Sequence, residues 1–411
     1  NGLSIKDSNF LLRIMDNNIY NNSVSGINLT NSSVRITDNH IESNGRFGIL
    51  MLSGSNAKLN NNTITNNGSI GESLSSGIYI QNSNPELVDR IYTDSLPEFP
   101  INNEIFNNIN TQVRVSFMTA PNLGVYELIE NPHGSYVLGG FNHIYGGDYS
   151  LLRYNYERIP DGFPTPQPLL FAEVNYWNED TVIETIPQGV VSGDRISTSP
   201  TAPTVINDVG GVETMVLQEG LIKEQEEEYI EARVLFDEYL NDEPVYDGIM
   251  TALGGVHRTY EKEDNLQELV STLESYSEST NEAFSTTART HLISVYQKLG
   301  LTEEAITMAE SLIEDYVDTE LEPYYILELA LLLEETDGSI LGRTENQQNI
   351  ESRIQRVYTN YADSEPAELL RLLFGSDNAI QHQEVIPETF ALHHAYPNPF
   401  NPKTNIVYDI P

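Results

Sequence analysis

One phrase recurs through the first 150 residues, Asn two positions ahead of Ile, and it limits the fold more than any other feature of the chain. It reads Asn17-Asn18-Ile19, Asn39-His40-Ile41, Asn62-Thr63-Ile64, Asn103-Glu104-Ile105 and Asn142-His143-Ile144. The first steps are 22 and 23 residues, and the later gaps of 41 and 39 fit coils with insertions or two coils with one signal lost. A second phrase keeps the same phase: Gly26-Ile27-Asn28-Leu29, Gly48-Ile49-Leu50-Met51 and Gly77-Ile78-Tyr79-Ile80. Two phased markers of this period predict a solenoid. The alternation in Val34-Arg35-Ile36 and Ile78-Tyr79-Ile80 makes its rungs strands, not helices. Stacked coils then set each Ile over the next at the ~4.8 Å strand spacing. Asn17, Asn39, Asn62, Asn103 and Asn142 form a ladder of amides bonded above and below, Asn tolerating the left-handed angles of a turn.

Residues 1–205 resemble the right-handed parallel β-helix family, the architecture of pectin-lyase-like proteins, and the turn Asn175, Tyr176, Trp177 is similar to how such solenoids finish. The resemblance implies a fold; it also implies that enzymes of this family use Asp clusters to bind calcium or protonate a glycosidic oxygen, with Arg or Lys as base or clamp. Asp16 and Asp38 precede the ladder Asn in successive coils, so they stack one strand spacing apart, close enough to share a proton or hold a cation such as calcium. A solvated pair of turn residues is the plainer reading, because Asn61, Asn102 and Phe141 continue that column without a carboxylate. Arg35, Arg46 and Lys58 are scattered cations that could oppose a sugar acid, and His40 and His143 share a repeat position but lie coils apart. No catalytic constellation is visible. Stretches 68–76, 85–100 and 114–138 interrupt the repeat, and Tyr92, Phe99, Tyr126, Tyr136, Tyr145 and Tyr149 lie in or near them, as candidates to stack on sugar rings or to cover the solenoid's side.

A linker at 206–212 ends the Asn-rich pattern, and 213–375 turns to Glu and Leu at helical period. There Gly220, Ala232, Phe236 and Pro244, and again Tyr296, Gly300, Ala305 and Ala309, are similar to the spacing of tetratricopeptide hairpins, which implies a spacer or a concave face for a peptide or protein. Glu224 to Glu228 read as a solvated helix face, and His257 and His291 stand alone on theirs.

After a second linker, 376–388, residues 389–411 resemble the start of the C-terminal sorting domain of type IX secretion substrates in Bacteroidetes-like bacteria. The match lies at Tyr396, Pro397, Asn398, Pro399, Phe400, Asn401, Pro402 and Thr404. It implies a truncated β-sandwich whose prolines fix an extended lead-in, recognition by the type IX machinery, and delivery outside the cell or onto the outer membrane's outer face. A formal charge of −40, from 61 Asp and Glu against 21 Lys and Arg, argues against nucleic acid as a partner. Cysteine is absent, so disulfides and thiolate metal sites are excluded, and no apolar run is long enough to span a membrane. The chain reads as a piece cut at both ends, with the uncapped strand edge a site for aggregation. The expectation is a multidomain exported protein whose β-helix binds polysaccharide or a surface partner. The alternative is a polysaccharide lyase or glycoside hydrolase whose catalytic coils lie mostly elsewhere.

Overall fold

A computed structural model describes the chain except residues 70, 93–100, 126, 130–134, 154–169, 173–174, 178–182, 186–190, 193–211, 243–245, 337–344, 376–390, 393–407 and 410–411. Residues 1–343 form one compact unit and 344–411 a second.

The first unit opens as a three-sided parallel solenoid. Among the described residues, sheet A runs through Leu3–Lys6, Ser25–Thr30, Phe47–Leu52, Ser76–Ile80, Thr111–Val115, Tyr149–Arg153 and Ile183–Thr185. Sheet B comprises Arg13–Met15, Arg35–Thr37 and Lys58–Asn60, and sheet C runs from Asn18–Tyr20 to Tyr176–Trp177. The register stacks like on like: Ile27 on Ile49 on Ile78 in A, Ile14 on Ile36 on Leu59 in B, and Ile19 on Ile41, Ile64, Ile105 and Ile144 in C. These columns are the buried core. Thr63–Thr65 pairs directly with Glu104–Phe106, and that strand with His143–Tyr145, so each long gap in the sequence repeat is one coil with an insertion. Part of the inserted chain forms a small antiparallel sheet of Asp89–Tyr92, Tyr136–Gly139 and Glu127–Ile129.

A ladder occupies each corner. Between B and C, Asn17, Asn39, Asn62, Asn103, Asn142 and Asn175 are linked amide to carbonyl at 2.8–3.1 Å, so the ladder reaches the Asn-Tyr-Trp turn. Between C and the next A strand, Asn22, Asn44, Asn67 and Asn108 do the same at 2.8–2.9 Å, and Gln112 closes the run. After A, the backbone N–H groups of Ser8, Ser32, Ser55 and Ser83 donate to the hydroxyls of Ser32, Ser55, Ser83 and Thr119. The left-handed residue is not the rung but the one before it: Asp16, Asp38, Asn61 and Phe141 have φ of 52–58°. The rung must aim its amide along the stack, so its neighbour makes the bend. The second phased marker also has a steric cause. A Cβ on Gly26, Gly48 or Gly77 would stand 2.6–2.8 Å from the carbonyl oxygen of the next coil, leaving no room for any other residue.

Helices follow: α1 (Val212–Gln225), α2 (Tyr229–Asn241), α3 (Tyr246–Lys262), α4 (Leu266–Ser277), α5 (Glu282–Lys298), α6 (Thr302–Asp315) and α7 (Glu322–Thr336). Gly220 and Gly255 make room for Phe236, whose ring would meet a Cβ on either at 2.6 and 2.3 Å. Gly300, at φ +74°, ends α5, and Ala232, Ala305 and Ala309 are fully buried where helices cross. In the second unit α8 (Glu345–Asn360) and α9 (Glu365–Phe374) form a hairpin, α9 being capped by Ser364 with Pro366 in its first turn. Ala391–Leu392 pairs antiparallel with Tyr408–Asp409. Among the described residues no helix is long and apolar enough to cross a membrane.

Asn62 is buried, and its side chain donates to the carbonyls of Ile36 and Asn60 while accepting from Asn39. Asn62→Ala is expected to lower unfolding free energy in urea by roughly 2–4 kcal/mol, and Asn17→Ala, at the exposed end, by less than about 1 kcal/mol. Equal losses would contradict the ladder's role in the core.

Candidate functional site

The corner between sheets B and C holds Asp16 and Asp38. They flank a shallow open groove of about 410 Å³ lined also by Asn17, Asn18, Asn39, His40, Asn61 and Thr63. The Asn61 amide donates to Asp38, and Asp16 and Asp38 have the same left-handed backbone as Asn61. Both aspartates are accounted for as turn residues that tolerate this conformation. Among the described residues, no group of three His, Asp or Glu side chains is arranged to hold a metal ion. His40 and His143 are separated by two intervening strands of sheet C.

The aromatic candidates divide. Tyr136 is buried: its ring lies under the Arg90 guanidinium at 5.3 Å and its hydroxyl donates to Glu226 at 3.2 Å. Tyr92 meets it edge to face at 5.6 Å and stays half exposed. Tyr145 stands on the outer face of sheet C, stacked on Phe106 at 5.0 Å and against His143 at 4.2 Å. Phe106 is a member of this ladder that the insertions did not single out; its position two residues after Glu104 in the Asn-x-Ile frame is the signal that places it beside Tyr145. Tyr149 pairs through its backbone with Thr111. Phe99 and Tyr126 lie outside the described residues, as do Tyr396, Pro397, Asn398, Pro399, Phe400, Asn401, Pro402 and Thr404.

Among the described residues, a large constellation of charge lies where the helices sit on the solenoid, at the serine corner after sheet A. Helices α3, α5 and α7 reach it, and α1 reaches the inserted antiparallel sheet. Arg90 donates to the carbonyl of Gln225 at the end of α1. From α3, Arg258 donates to the Asn84 carbonyl at 3.3 Å and Lys262 pairs with Glu86 at 2.8 Å. From α5, Lys298 donates to the Ser33 hydroxyl and the Gly54 carbonyl. From α7, Tyr324 stacks on Phe117 at 4.5 Å and Glu328 accepts from Ser53 at 2.7 Å. This side of the helical array is therefore taken by the chain's own solenoid. On sheet A, Leu50, Leu52 and Tyr79, which alternate with the core residues, are fully buried too.

Two sequence expectations change here. Glu224 is not on a solvated face: it is fully buried, gripped by Arg258 at 2.7 and 2.8 Å and by Lys262 at 2.9 Å, because the end of α1 meets α3. His257 and His291 do not stand alone, since α3 and α5 bring their Nδ1 atoms to 2.9 Å, a contact in which one ring donates and the other accepts. His257 Nε2 lies 3.3 Å from Glu261, which also pairs with Lys298 and accepts from Ser33 and Asn56.

These environments move the titrations. Burial alone would raise Glu86, but Lys262, Lys58 and Arg258 overcome it and hold the carboxyl down at about 2. Glu261 is likewise pushed up by burial but held well below the usual range by Lys298 and His257. Burial with no cation beside it pushes Glu328 up to about 7. Burial, helped by His257, drives His291 well below the ordinary imidazole value and keeps it neutral.

Residues 1–116 match the family model described as a right handed beta helix region. No curated protein matches the chain, and no solved structure matches it.

The pH dependence follows from two of these groups with opposite signs. Glu328, raised in the folded state, contributes stability that is complete below its ordinary value of 4.5 and lost as pH rises through about 7, a difference of about 3 kcal/mol. His291, depressed, contributes stability present above 6.5 and lost on acidification below it. Urea unfolding followed from pH 4 to 8.5 is expected to show Glu328→Gln more stable than the parent at the alkaline end, and His291→Asn flatter at the acid end. Unchanged limbs in both variants would show that the junction is not closed to water.

Proposed function

We propose that this chain is an exported bacterial protein, secreted or held on the outer face of the outer membrane, whose β-helix binds polysaccharide or a surface partner. Its C-terminal segment addresses it to the type IX secretion machinery. The observation that carries the binding half is the division of the solenoid's faces. Helices occupy the corner after sheet A, while the outer positions of sheet C, among them Tyr20, Phe106 and Tyr145, stay exposed or half exposed. Aromatic faces in such a position bind sugar rings while their edges stay wet. The helical hairpins, similar to tetratricopeptide units, serve here as a clamp on the solenoid and not as a peptide platform. The catalytic alternative gains nothing from Asp16 and Asp38, which are turn residues whose column continues as Asn61. The addressing half rests on the phrase from Tyr396 to Thr404.

Titration of the full chain against neutral and acidic glycans is expected to give binding that Phe106→Ala with Tyr145→Ala weakens by roughly tenfold. In a type IX-competent host, removal of 389–411 is expected to leave the protein in the periplasm. A parent chain that binds no glycan, or export that ignores the tail, would contradict the corresponding half.

A further inference from the structure

At the junction, the ammonium of Lys298 from α5 and the side-chain amide of Asn56 from the solenoid converge on one carboxylate, Glu261 at the end of α3. Lys298 pairs with Glu261 Oε1, and Asn56 Nδ2 donates to Oε2 at 3.1 Å. The Gly54 carbonyl is shared as well, accepting from Lys298 Nζ at 3.2 Å and from the backbone N–H of Asn56 at 3.1 Å. Two common acceptors therefore hold the amine beside the amide. All three side chains are closed or nearly closed to solvent. Ser33 completes the ring, accepting from Lys298 at 3.0 Å and donating to Glu261 at 2.9 Å. The Asn56 carbonyl is itself polarised, since the backbone N–H of Asn84 donates to its Oδ1 at 2.8 Å.

These are the parts that an amide exchange needs. An amine is a nucleophile, a primary amide is an electrophile, and a carboxylate in contact with both moves protons between them. Burial favours the first move: a proton shifted from Nζ to Oε1 removes two charges from a site where desolvation makes charge costly. The Asn84 N–H then stands where negative charge develops on Oδ1 as Cγ becomes tetrahedral. Lys262 shows the contrast. It is buried between Glu86 and Glu224, and the second partner of Glu224 is the Arg258 guanidinium where Glu261 has an amide, so no electrophile is presented there.

We propose that Lys298 and Asn56 join in an isopeptide bond, formed by the folded chain itself, which fastens α5 to the solenoid. Nζ bonds to Cγ, and the Cγ–Nδ2 bond breaks. Of the protons on the ammonium, one stays on the new amide nitrogen. The others pass by way of Glu261 to Nδ2, which leaves as ammonium, and Glu261 ends as the carboxylate it began as. The exchange consumes no oxidant, reductant or cofactor. Asn56 and Lys298 lie far apart in the chain, so the reaction waits on folding: only the seated helices give the amine its effective concentration. In a chain without cysteine, this bond supplies the covalent closure that a disulfide cannot.

The test is the intact mass of the folded full chain, followed by proteolysis and tandem mass spectrometry. The parent is expected to be lighter than its sequence by one ammonia and to release a branched peptide that joins Asn56 to Lys298. Lys298→Arg keeps a cation beside Glu261 but offers no amine, and Glu261→Gln keeps the shape of the carboxylate without its basicity. Both variants are expected to keep the full sequence mass. A parent at its full sequence mass would overturn the proposal before any variant is made. Loss of ammonia without the branched peptide would also overturn it, by placing the loss at a cyclised asparagine such as Asn67, which precedes Gly68. A branched peptide that forms as completely in Glu261→Gln would overturn the part given to the carboxylate.

Discussion

The bond on which everything else depends runs from the backbone N–H at a corner of one coil to a side-chain oxygen of the next. A strand leaves its ladder of hydrogen bonds wherever the solenoid bends, and a buried N–H left there would be orphaned. Asn supplies the missing acceptor at two corners and Ser or Thr at the third. A solenoid built this way carries polar residues through its corners and keeps the aliphatic columns of its three sheets continuous.

The choice of rung also decides where the helices sit. The serine corner is low, and a Cβ on Gly54 would stand 2.6 Å from that of Ser294 in α5, so the approach is close. Three carboxylates, Glu86, Glu224 and Glu261, meet three cations, Arg258, Lys262 and Lys298, in a region nearly closed to water. Buried ion pairs of this kind add little net stability, because desolvation offsets the attraction, but a single misplaced partner is strongly unfavourable. The adhesion comes from Phe117 against Tyr324 and Tyr325; the charges fix the one register in which all are paired.

The solenoid was legible because its periodicity repeats in the chain itself: Asn before Ile, and Gly before Ile, each with a steric or hydrogen-bonding cause. The helical hairpins were legible from Gly220 against Phe236 and from Gly300. The seating of the helices on the solenoid was not, since contacts between Ser33 and Glu261 or Ser53 and Glu328 span more than two hundred residues and leave no local period. Signals for it were present nonetheless. Ser32, Ser55 and Ser83 each follow the glycine of the Gly-Ile phrase by six or seven residues, and α7 is apolar nearly all round from Tyr324 to Leu332, which marks a helix covered on both sides. The burial of Glu224 and the meeting of His257 with His291 depend on which helices become neighbours, and composition carries no trace of that.

The central claim is that the helical array is clamped onto the serine corner of the solenoid. The absence of native cysteine allows a direct test. A Cβ on Gly254 in α3 would stand 3.2 Å from that of Asn84, a few tenths of an ångström inside the usual disulfide span of about 3.5–4.5 Å. Asn84→Cys with Gly254→Cys, oxidised and mapped by mass spectrometry, is expected to give a quantitative intramolecular disulfide in the folded chain. Free thiols at both positions in a chain that keeps its circular dichroism spectrum would contradict the clamp.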